Sequence, residues 1–167
     1  MNQTVKMLED ILGREVEVYT NALEYAKKKQ QALIKGDTEA IEAIVHSEEK
    51  LLGGIKELEL SREKLITDAA GEMALAAHDL TLKTLAAKIG GAQGISLLKK
   101  RTQLRHVIAQ LADYNEQNRA LIETHMKYTA FCMELLTGGM NSTNTYTNTG
   151  EASEEKASKH LLFDQKA

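Results

Sequence analysis

The chain has 167 residues with no proline and no tryptophan, and 22 Leu and 20 Ala dominate its apolar set. A formal charge of −3 with 27% charged residues excludes a general attraction to nucleic acid or anionic lipid. Short β-branched runs and closely spaced turn signals are missing, which excludes a sandwich, a barrel and an α/β enzyme and leaves an all-helical chain.

Residues 3–35 form the first periodic segment. Val5, Leu8, Leu12, Val16, Tyr19, Leu23, Ala26, Gln30 and Leu33 recur at spacings of three and four, the stripe of one helix face. Asp10 with Arg14 and Glu24 with Lys28 are acid-before-base pairs suited to the solvated face. Gly36 ends this helix and Asp37 is placed to cap the next, so the joint predicts an antiparallel hairpin.

The second helix is expected over 38–70, with a seam of Ile41, Ile44, Glu48, Leu51, Ile55, Leu58, Arg62, Leu65 and Ala69. Gly53 and Gly54 sit in its middle at about 1 kcal/mol each relative to Ala. Either a neighbour approaches closely there or the helix bends. Residues 71–94 are punctuated by glycine, and Thr81 to Ile89 predicts a short helix carrying Leu82, Leu85 and Ile89 on one side. The run Gly90-Gly91-Ala92-Gln93-Gly94 has neither the preceding strand nor the Lys-Ser/Thr pair of a phosphate loop, and it is read as a flexible connector.

A last helix over 95–137 holds a 3.5-residue repeat through Leu97, Arg101, Leu104, Ile108, Leu111, Asn115, Asn118, Ile122, His125, Thr129, Cys132 and Leu136. It would be about 65 Å long at 1.5 Å per residue. Asn115, Asn118 and His125 fall where Leu or Ile would pack best, so they are expected to hydrogen-bond within the bundle and fix its register. The fold expected is therefore all-α: an antiparallel bundle of three long helices plus a shorter crossover helix over residues 1–137. A flexible tail over 138–167 follows, rich in Asn, Thr, Ser and Gly. Within that tail Leu161, Leu162 and Phe163 form an apolar cluster. A local helix around 152–163 is expected to dock this cluster on the last helix near Phe131 and Leu135, and Leu136 beside them is expected to bind a partner. The same cluster could dock on a neighbouring chain, which would give a homo-oligomer through the tail.

Chemistry is poorly represented. No His has Glu three residues before it, as a di-metal bundle requires. His125 and Cys132 are about 10 Å apart along the axis, too far to share an ion. Cys132 lacks a local base and forms no disulfide framework, so no catalytic residue, metal or cofactor is expected and a reducing compartment is the default. No stretch approaches 18 apolar residues, and Glu9 and Asp10 interrupt any leader-like segment, so a cytoplasmic protein without membrane insertion is expected. The densest basic cluster, Lys99, Lys100, Arg101, Arg105 and His106, lacks interleaved aromatics and is read as a solvated face rather than a nucleic-acid site. A histidine phosphotransfer bundle using His46 or His78 remains an alternative, as does a structural coiled-coil module.

The run from Tyr114 to Ile122, with Asn115, Asn118, Leu121 and Ile122, resembles the Asn-x-x-Asn-x-x-Leu-Leu/Ile stretch of the FlgN family. Tyr146 to Gly150 resembles the Tyr-x-x-x-Gly element that follows the last long helix in that family, although Thr147 stands where a Gly is common. The Gly36-Asp37 hairpin also matches its layout. The resemblance implies a cytosolic chaperone that binds the C-terminal helical region of flagellar hook-associated proteins. It would prevent their premature polymerisation and deliver them to the flagellar type III export gate. It further implies that Tyr146 and Gly150 serve delivery at the gate.

Overall fold

The computed structural model describes residues 2–72 and 81–137. Four helices follow in order: α1 Asn2–Lys35, α2 Thr38–Glu72, α3 Leu82–Ile89 and α4 Gly91–Leu136. Two compact units divide the chain, Met1–Glu123 and Thr124–Ala167. The first contains α1, α2, α3 and α4 up to Glu123. Of the second, the residues described are 124–137, the end of α4 and its first residue beyond.

The joint between α1 and α2 is short because its geometry is fully specified. Gly36 adopts φ 69°, the left-handed conformation that costs glycine nothing. Its amide donates to the Leu33 carbonyl and the Asp37 amide to the Ala32 carbonyl, the paired bonds of a Schellman close. Asp37 Oδ1 then accepts the Ala40 amide at 3.0 Å, capping α2. The two helices lie antiparallel in constant register: Thr4 reaches Glu72, Glu15 Arg62, Tyr19 Glu59 and Lys29 Glu48.

α4 returns parallel to α1. Ser96 donates to Glu9 and Gln30 donates to Gln117, both 87 residues apart in sequence. The core lies at one end, where Val5, Leu8 and Leu12 of α1 meet Leu65, Ala69 and Ala70 of α2, Leu85 and Ala86 of α3, and Leu97 and Leu104 of α4.

α3 begins where the sequence places it. Thr81 caps it, accepting the Thr84 amide while the Thr84 hydroxyl accepts the Thr81 amide. The 90–94 run differs from the expected flexible connector. Gly90 and Gly91, at φ 66° and 56°, turn the chain, and α4 starts at Gly91 rather than Ile95. Gly94 is buried inside α4, and a Cβ there would strike the Ala86 carbonyl of α3. The glycines therefore permit a close backbone crossing. Gly53 and Gly54, by contrast, have open space around them, so no neighbour requires them.

Candidate functional site

Away from the four-element core, the first unit carries an unfilled groove of about 520 Å³. Its floor is α1 through Tyr19 and Ala22, and its walls are Leu51, Leu52 and Ile55 of α2 and Leu111, Asn118 and Ile122 of α4. Leu52 is 63% exposed and Ile122 39%, although both would prefer burial. The walls stay apart because α3 fills the space between α2 and α4 only at the core end. At the groove end nothing among the described residues occupies its place.

Polar groups fix the frame of the groove. Lys29 Nζ bridges to Glu48 at 2.7 Å, holding α1 to α2 at the rim. Tyr19 OH donates to Glu59 at 2.7 Å, and burial first, then that bond, pushes the phenol up to about 12. Beneath it Glu15, 1% exposed, accepts from Arg62 Nε at 2.8 Å while its Oε2 has no partner. Burial raises the Glu15 carboxyl, and Arg62 opposes the shift without cancelling it. On the other wall the buried Asn118 donates from Nδ2 to the Ala26 carbonyl at 2.8 Å, tying α4 to α1, and leaves its Oδ1 unpaired.

The sequence-named residues divide accordingly. Asn118 is buried and bonded, whereas Asn115 lies exposed on the groove wall and His125 is exposed in the second unit. At Asn115 register alone does not bury the seam position, because α2 stands off from α4 across the groove. Phe131, Leu135 and Leu136 are 56%, 58% and 81% exposed in the second unit, an open apolar face. Tyr146, Gly150, Leu161, Leu162 and Phe163, with the helix expected around 152–163, lie outside the described residues, as does His78. His46 is exposed beside Glu49, whose carboxylate is 3.7 Å away. Glu24 pairs with Lys27 rather than Lys28, which lies over the Tyr25 ring.

Two features escaped the sequence pattern. Leu52 sits one residue off the α2 seam, yet two adjacent leucines cannot both face α1, so one of them had to open elsewhere. Glu15 was signalled only indirectly, by Arg62 on the opposing seam, which needs a buried acid across from it.

No helix among the described residues is long and apolar enough to cross a membrane. In comparison with known proteins, the family model described as FlgN protein matches residues 1–154. No curated protein matches the chain, and no solved structure does.

Proposed function

The chain belongs to the FlgN family, and on that premise we propose that it is a flagellar export chaperone whose groove holds the C-terminal helical region of hook-associated proteins. Held there, these hook–filament junction proteins are kept from polymerising early and are delivered to the flagellar export gate. The observation that supports this reading is the unfilled groove. Its apolar walls run for about two turns of α2, from Glu48 to Ile55, and about three of α4, from Leu111 to Glu123, the shape that receives an amphipathic helix through anchors at i, i+3, i+4 and i+7. Phe131, Leu135 and Leu136 offer a further apolar contact for the partner, and residues 138–167 act as a tail serving substrate and gate.

The test is calorimetric titration of the full chain with the C-terminal helical fragment of a hook-associated protein from the same cell. Leu52→Glu and Ile122→Glu each place a charge on an exposed groove wall, so helicity stays intact and affinity falls by about tenfold or more. Unchanged affinity in both variants removes the groove from the reading.

A further inference from the structure

Residues 81–112 contain Lys83, Lys88, Lys99, Lys100, Arg101 and Arg105 and not one Asp or Glu, in a chain whose net charge is −3. None of the six forms an ion pair among the described residues. Within this stretch the exposed side of α4 carries a second seam, about 130° around the helix from the buried one through Leu97 and Leu104. Ile95, Leu98, Thr102, Arg105 and Ala109 follow at alternating spacings of three and four, and all are exposed. Ile95 is 70% exposed and Leu98 36%. Lys99 borders the stripe on one side and Arg101 on the other.

We propose that this face docks an acidic amphipathic helix of a partner protein, at a surface separate from the groove. The alternating spacing is that of helix-on-helix packing, and flanking charges of one sign select flanks of the other. A lipid surface fits less well: helices that lie in a bilayer interface bury a broad face rich in Leu, Phe or Trp, and this one has two large apolar side chains and no aromatic. A second copy of the chain also fits less well. Its acidic helix, α2, interleaves Lys56 and Lys64 with the exposed Glu49, Glu57 and Glu63.

The experiment titrates the full chain with two synthetic amphipathic helices that share a leucine stripe, one flanked by Glu and the other by Lys. The Glu-flanked helix binds, weakens as salt is raised, and outcompetes its Lys-flanked twin by about tenfold. Lys99→Glu with Arg105→Glu inverts that preference, while Ile122→Glu in the groove leaves it in place; both charge changes are exposed, and circular dichroism checks the fold. Absence of charge preference overturns the proposal, as does a preference that Ile122→Glu abolishes. Two further outcomes also overturn it. One is charge-reversible binding to phosphatidylglycerol vesicles without peptide selectivity, which assigns the face to lipid. The other is self-association in sedimentation that the charge reversal dissolves, which assigns it to a second copy.

Discussion

Arg62→Met tests the polar frame beneath the groove. The substitution keeps the aliphatic bulk of Arg62 and removes the guanidinium that bonds Glu15 at 2.8 Å. Glu15 is 1% exposed with one carboxylate oxygen already unpartnered, so it would be left as an uncompensated buried charge. Breaking a buried pair in this way costs about 3–5 kcal/mol. The Arg62 side chain is 25% exposed, so water relieves part of the loss and the low end, about 3 kcal/mol, is expected. The deficit must also depend on pH. Burial raises the Glu15 carboxyl above its ordinary 4.5, and only Arg62 holds it down. A carboxyl raised on folding adds stability that is fully present below the unfolded value and lost as pH rises through the folded one. Without Arg62 the folded value climbs, so this window widens upward and the variant regains stability relative to the parent as pH falls from neutral toward the ordinary carboxyl value of 4.5. Urea denaturation followed by circular dichroism across that range measures it. A deficit below about 1 kcal/mol, or one that does not shrink on acidification, would refute the reasoning. Replacing both partners, Glu15→Leu with Arg62→Met, should come back close to the parent.

Gly54→Ala should raise stability by about 1 kcal/mol because its Cβ meets open space. Gly94→Ala should lower it by about 1–3 kcal/mol through the Ala86 carbonyl, and thermal melts compare the two. Asn118→Leu breaks the tie from α4 to the Ala26 carbonyl; unchanged melting together with unchanged substrate affinity would dismiss a structural role. Tyr146→Ala is expected to keep substrate binding and weaken binding to the export gate, and equal loss of both would contradict a role in delivery. Truncation after Gly139 is expected to leave the helices intact and weaken substrate binding, whereas unchanged affinity by calorimetry would remove the tail from capture.

Local chemistry made much of the fold legible. Gly36-Asp37 specifies a joint by itself, and Leu82, Leu85 and Ile89 mark one helical face, so α1, α2 and α3 could be placed within a residue or two. The 90–94 glycines misled because composition reports freedom, while Gly94 serves the opposite end, a backbone crossing that admits no Cβ. The site was less legible for a related reason. The repeat along α4 gives the spacing of its seam, but Leu104 and Asn118 are buried while Ile108 and Ile122 stay 39% exposed. Whether a seam position is covered depends on where α3 stops, which is a property of three elements together.

The two-residue hairpin has a kinetic consequence. α1 and α2 meet through contacts between neighbouring stretches of sequence, the kind that form fastest and need no distant segment. Their hairpin is complete by Glu72, before any of α4 has been synthesised, and domains assemble from the N-terminus during synthesis. The floor of the groove and its α2 wall thus exist first as an open apolar ramp, and the α4 wall arrives later. A nascent chain halted between Glu72 and Gly91 would present Leu51, Leu52 and Ile55 uncovered on one side, the stage at which this protein itself most needs protection from aggregation.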